Sequence, residues 1–239
     1  MVLLRSLVFQ LYLAFFVILF GLPIALFGWF LPFAWLGKLG RCWGQLILWG
    51  LEKICNLRYR LSGAEHLPDQ PCIVLCKHQS AWETIALRAL LPPDHTWVLK
   101  RELLWLPFFG WGIAAYRPIA IDRRAGRQAM KQLVREGKKW LDAGRWVVVF
   151  PEGTRVAPGE RKKYGIGGAL LAEKTGYPVL PIAHNAGVFW RRRGFKKYPG
   201  TIDLVIGELL PVQGRSALEI NRLVEAWIES TVAQLPQSR

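Results

Sequence analysis

The 239-residue chain predicts an α/β fold: a mixed central sheet flanked by helices, with an N-terminal membrane-embedded helical segment. Three observations predict it. From residue 56 onward, short apolar runs alternate with helical stripes. Residues 6–36 form an almost unbroken apolar stretch without a charge. No linker or repeat interrupts the alternation, so residues 56–239 read as one α/β domain and residues 1–55 as membrane-embedded or interfacial helices.

The N-terminal stretch is too long for the core of a signal peptide, and no small-residue cleavage site follows it. As one helix its 31 residues would reach roughly 46 Å, more than the ~30 Å hydrocarbon core of a bilayer. Gly21 and Pro23 are expected to split it into two pieces. Either a kinked helix crosses, or two short helices dip into one leaflet and return. Arg5 lies before the stretch, and Lys38, Arg41, Lys53, Arg58 and Arg60 after it. Cations on both sides favour the hairpin, with both ends on the cytoplasmic face. Residues 38–55 read as a further helix, in which Leu39, Trp43, Leu46, Leu48 and Trp49 suit the bilayer interface and a protein core equally.

Seven strand-like runs follow, at 57–61, 72–76, 97–100, 118–121, 146–150, 179–183 and 202–206. Met130, Leu133, Val134, Gly137 and Leu141 make one helical stripe between them. Ile220, Leu223, Val224, Trp227, Ile228, Thr231 and Leu235 make another near the C-terminus.

Composition narrows the partner. The chain is 52% hydrophobic yet carries 32 Lys+Arg against 17 Asp+Glu, a formal net charge of +15. A phospholipid surface is both apolar and anionic; nucleic acid is only anionic, and no zinc-finger spacing or isolated basic helix points to it. The four cysteines form no metal-ligand spacing. Cys72 and Cys76 share one predicted strand, about 13 Å apart, too far to bridge. A reducing, cytosolic setting follows for the globular part.

The unusual residues stand at strand ends. His78 follows the second run, and Glu83 comes five residues later at a helix start. Such a pair can serve as a general base and its orienter. Ser80 and Glu83 also have the spacing of a helix capping box, and one carboxylate is not expected to satisfy both roles fully. The fifth run leads into Phe150-Pro-Glu152-Gly153-Thr154-Arg155. There a glycine lets backbone N–H groups approach an anion and Arg155 offers a planar fork for phosphate, although an ordinary turn with a surface arginine has the same pattern. Between them, Lys100-Arg-Glu102 and Asp122-Arg123 bracket a very apolar segment, either core or the lining of an acyl-chain slot.

Taken in order, these segments resemble the lysophospholipid acyltransferase family, that of bacterial 1-acylglycerol-3-phosphate acyltransferases. His78 and Glu83 are similar to its H-x4-D motif, with Glu in place of the usual Asp. Residues 100–123 resemble its second motif, Phe150 to Arg155 its F-P-E-G-T-R motif, and Val179-Leu-Pro181 its apolar fourth. The resemblance implies that His78, oriented by Glu83, deprotonates the sn-2 hydroxyl of 1-acylglycerol-3-phosphate. The alkoxide would attack the thioester of acyl-CoA or acyl carrier protein, making phosphatidic acid. Lys100, Arg123, Glu152, Gly153, Thr154 and Arg155 would bind the substrate. No cofactor or metal is implied, and the active domain would lie on the cytoplasmic face of a bacterial inner membrane. Another lyso-lipid, such as lyso-ornithine lipid, is an alternative acceptor. Two rivals remain: a thioesterase or lipase using Cys76 or Ser80 as nucleophile, without a G-x-S-x-G elbow, and a non-catalytic scaffold binding anionic lipid through residues 161–163, 191–193 and 196–197.

Overall fold

The computed structural model describes residues 1–238, with main chain alone at residue 123. All seven expected runs are strands: β1 (Leu57–Ser62), β2 (Ile73–Cys76), β3 (His95–Lys100), β4 (Ile119–Ile121), β5 (Trp146–Val149), β6 (Val179–His184) and β7 (Gly200–Ile206). They form one sheet in the order β1-β7-β6-β2-β5-β3-β4. Every pairing is parallel except β6 with β7, so the sheet is mixed. The central strand β2 is buried along its whole length and reads Ile-Val-Leu-Cys without alternation, as a strand covered on both faces does.

Helices cover both faces. On one side, α2 (Phe33–Cys55), α3 (Trp82–Leu90) and α7 (Ala186–Phe189) bury Ile47, Trp82 and Phe189 against Val74, Cys76 and Val148. On the other, α5 (Arg127–Asp142), α6 (Gly167–Thr175) and α8 (Ala217–Gln234) bury Leu133, Leu171 and Ile228 against Ile73, Leu75 and Val147. The predicted stripes supply these contacts: Leu133, Gly137 and Leu141 are buried on α5, and Ile220, Val224 and Ile228 on α8.

The N-terminal segment departs from expectation in one respect. Gly21 and Pro23 do not divide it; α1 runs unbroken over Val2–Phe27, with Pro23 inside. Proline forfeits one backbone hydrogen bond, which a long helix can absorb. Gly21 serves instead as a contact surface: a Cβ placed on Gly112 of α4 (Phe109–Ala115) would lie 3.3 Å from the Gly21 carbonyl oxygen. The chain turns at residues 28–32, where Pro32 becomes the N-cap of α2. α1 and α2 then run antiparallel. The Cys55 thiol lies 3.7 Å from the Arg5 carbonyl oxygen, the Tyr12 hydroxyl donates to the Leu46 carbonyl at 2.8 Å, and Gly28 meets Leu36.

This hairpin lies along the domain. Phe9 joins the core cluster of the sheet, and Ser6 Oγ accepts the Lys197 N–H at 2.9 Å. Only Ser6, Phe9 and Ile24 of α1 are buried; Leu7, Leu11, Phe15, Ile18 and Leu22 are exposed along one stripe. Trp105, Phe108 and Trp111 are exposed on and beside α4, which packs against α1. An apolar face of this extent belongs to a membrane-associated protein. α2 answers both readings of its sequence at once: Ile47, Leu48 and Leu51 are core, while Trp35 and Trp49 face outward.

Candidate active site

Side chains alternate along β2 and just beyond it, so Val74, Cys76 and then His78 point to the α3 face and Lys77 to the α8 face. His78 Nδ1 lies 2.7 Å from Oε1 of Glu83, a carboxylate fully buried at the start of α3. Paired with a carboxylate, Nδ1 carries the proton, and Nε2 is left as the acceptor nitrogen. Glu83 also receives the backbone N–H groups of Gln79 at 2.9 Å and Ser80 at 2.8 Å. The conflict expected between capping and orienting therefore does not arise. A carboxylate has about four acceptor positions, and Ser80 is not the N-cap, since α3 starts at Trp82. Burial alone would raise the Glu83 carboxyl. The hydrogen bonds from His78 and the Ser80 N–H outweigh it and hold the group below the usual carboxylate range.

The loop after β5 is fastened to the histidine. Phe150 stacks on the imidazole, with ring centroids 4.0 Å apart and planes 14° from parallel. Val156 N–H donates to the His78 carbonyl at 2.8 Å, and the His78 N–H donates to Glu152 Oε2 at 2.8 Å. Gly153 turns the chain with φ +68°, a conformation that favours glycine. Thr154 is partly exposed beside it.

His78, Lys100 and Arg155 face one cavity of about 310 Å³. The rest of its wall is mostly apolar, with Phe20 and Ile24 from α1, Trp43 from α2, Leu99 from β3 and Ile113 from α4. The apolar segment between residues 102 and 117 thus supplies cavity lining through Leu103, Phe108 and Phe109. Lys100 pairs with Glu102 at 3.0 Å. Arg155 Nε is buried with no hydrogen-bond partner among the described residues. Glu152 is placed otherwise than expected. It does not line the cavity; its side chain is fully buried, with Oε1 2.9 Å from Lys77 Nζ. Gly153 and Thr154 also stand outside the cavity wall. The side chain of Arg123 lies outside the described residues; its neighbour Asp122 pairs with Arg101 at 3.0 Å. Among the described residues no cluster of His, Cys, Asp or Glu is placed to hold a metal.

Several residues escaped the sequence reading. Lys77, Tyr164 and Glu229 meet below the histidine loop, although Glu229 falls in a charged stretch of α8 whose period assigns it to no particular partner. His184 donates from Nε2 to the Lys77 carbonyl at 2.8 Å and accepts the Ala186 N–H at Nδ1, a neutral imidazole by its bonding. The Val-x-Pro motif, whose Pro181 lies three residues upstream, was the available signal for it. Arg88 lines the cavity, its guanidinium over the rings of Trp97 and Tyr116, and burial lowers it to about 10. Cys76 is wholly buried and its thiol is pushed up by burial, which removes it as a nucleophile.

A carboxylate-bound imidazole, an apolar cavity and three cationic side chains on its wall, at the carboxyl ends of parallel strands, define an enzyme of the acyl-transfer class. A model of the Acyltransferase family matches residues 58–185. The chain belongs to that family. It is 46% identical over 196 residues, 81% of this chain and 76% of the other, to a 1-acyl-sn-glycerol-3-phosphate acyltransferase of Pseudomonas aeruginosa. Over 174 residues it is 27% identical to a human 1-acyl-sn-glycerol-3-phosphate acyltransferase beta, covering 71% of this chain and 62% of that one. The crystal structure of the 1-acyl-sn-glycerophosphate (LPA) acyltransferase PlsC from Thermotoga maritima superposes with a TM-score of 0.80 at 25% identity, covering 98% of this chain and 97% of that one.

Proposed function

We propose that the protein transfers an acyl chain from acyl-CoA or acyl carrier protein to the sn-2 hydroxyl of 1-acylglycerol-3-phosphate, producing phosphatidic acid at a bacterial inner membrane, with the domain on its cytoplasmic face. One observation carries the reading: His78, tied through Nδ1 to Glu83, faces the same cavity as Lys100 and Arg155. Nε2 takes the proton of the acceptor hydroxyl as its oxygen attacks the thioester carbonyl. The carbon–sulfur bond breaks, and the imidazolium returns the proton to the departing thiolate. Glu83 keeps the ring turned and stabilises its charged form. Arg155 and Lys100 hold the acceptor phosphate, and the apolar wall receives an acyl chain. The names and identity of the relatives support this acceptor.

The test is the purified full chain in detergent, given one acyl-CoA and separately 1-acylglycerol-3-phosphate, a lysophosphatidylcholine and lyso-ornithine lipid. Phosphatidic acid as the dominant product is expected. Product from lyso-ornithine lipid alone would replace the acceptor assignment, and no product with any acceptor would overturn the reading.

A further inference from the structure

The glutamate of the Phe150 to Arg155 loop does not face the cavity. Its Oε2 accepts the backbone N–H of His78 at 2.8 Å, and its Oε1 lies 2.9 Å from the Lys77 ammonium. The same ammonium is 2.6 Å from Glu229 Oε1, which also accepts the Tyr164 hydroxyl at 2.8 Å. Arg161, exposed, approaches the other Glu229 oxygen at 3.7 Å. Lys77, Glu152, Tyr164 and Glu229 are 1%, 2%, 3% and 8% exposed, and none of them lines the cavity. A buried ammonium costs several kcal/mol in lost hydration unless it is paired. Here one cation stands between two carboxylates, one belonging to the loop after β5 and one to α8.

The position of the assembly gives it a task. His78, Gln79 and Ser80 donate three successive backbone N–H groups to carboxylates, the first to Glu152 and the next two to Glu83. Glu83 therefore orients the imidazole from the cavity side of the sheet, and Glu152 fixes the main chain from the other side. Glu152 can do so only while its free oxygen is neutralised, and Lys77 is the cation within reach.

We propose that Glu152 and Lys77 are positioning residues for the reaction, acting through the main chain of His78, with Glu229 and Tyr164 as their anchor on the α8 side. Glu152 is then no part of the acceptor site. The inference rests on His78 as the general base. Displacing a base by a fraction of an ångström slows the chemical step and leaves substrate contacts alone.

The experiment compares Lys77→Met, Glu152→Ala and Glu152→Gln with the wild type and His78→Ala, all full length. Activity is measured in detergent below each melting temperature, with kcat and both KM values determined separately. Lys77→Met and Glu152→Ala should each lower kcat by about 10- to 100-fold, with acceptor and donor KM within about twofold. Glu152→Gln keeps an oxygen for the His78 N–H, so it should retain clearly more kcat than Glu152→Ala. In the Lys77→Met background, Glu152→Gln removes the stranded carboxylate and should raise kcat again. If Lys77→Met does not fold, the comparison of Ala with Gln at 152 decides alone. A selective rise in acceptor KM in the Glu152 variants would overturn the proposal and return Glu152 to the phosphate site. So would kcat near wild type in Lys77→Met and Glu152→Ala beside an inactive His78→Ala. An active His78→Ala would instead remove the general-base reading on which the proposal stands.

Discussion

At the scale of single residues, Arg155 distinguishes phosphate recognition from general attraction to anions. Its Nε is buried in the cavity wall without a protein partner among the described residues, so a ligand oxygen has a donor waiting. Arg155→Lys keeps the charge and loses the fork. We expect a rise in acceptor KM, worth roughly 10- to 150-fold in kcat/KM, with donor KM nearly unchanged. A matching loss on an acceptor without phosphate would assign Arg155 to loop support. The two glutamates make opposite predictions about pH. Glu83 is held below its ordinary 4.5, so its contribution to stability is complete above that pH and is lost as the pH falls through the lowered value. Glu152 is raised by burial from 4.5 to about 7. Its contribution is therefore greatest below pH 4.5 and declines as the pH climbs towards 7. Melting temperatures across this range should show Glu152→Gln losing that decline and Glu83→Gln losing the acid limb; unchanged slopes in both would contradict the assigned environments. The pairing of His78 with Glu83 and the candidacy of Lys100 and Arg155, which share its cavity, were legible because strand ends followed by polar residues stand out in an apolar sequence. Glu152 stood out equally, but its ion pair with Lys77 was not legible, because the second anchor of that ammonium, Glu229, lies 152 residues further along the chain.

At the scale of elements, the seven strands were read to within two residues because most are short, apolar runs bounded by turn residues. The N-terminal helices were harder. A uniformly apolar segment has little periodicity to show which side packs, and Gly and Pro mark a contact or a break with the same letters. Phe9 resolves the matter in the fold, for it is wholly buried against Trp190 and Tyr12. Phe9→Ala should destabilise the whole domain by about 3–5 kcal/mol, read from denaturation of the full chain in detergent. Phe15→Ala, on the exposed stripe, should cost far less. Equal, small effects would mean that α1 is not packed on the core.

For the whole molecule, the hairpin does two jobs: it completes one face of the core and walls the cavity with Val17, Phe20 and Ile24. Its outer stripe lies on the same helix as the residues that wall the cavity. Salt screens the basic patches and leaves apolar burial intact, so full-length protein should stay with membranes in high salt. Replacing Leu7, Leu11, Phe15 and Ile18 together by Glu should make it extractable by salt while folded; retention in the membrane would place the anchor elsewhere. The central claim concerns the proton on the acceptor hydroxyl. Its most direct measurement is the single-turnover rate of acyl transfer from acyl-CoA to 1-acylglycerol-3-phosphate, comparing wild type with folded His78→Ala. The rate should fall by at least about 100-fold. A His78→Ala enzyme that transfers the acyl chain at the wild-type rate would contradict the account.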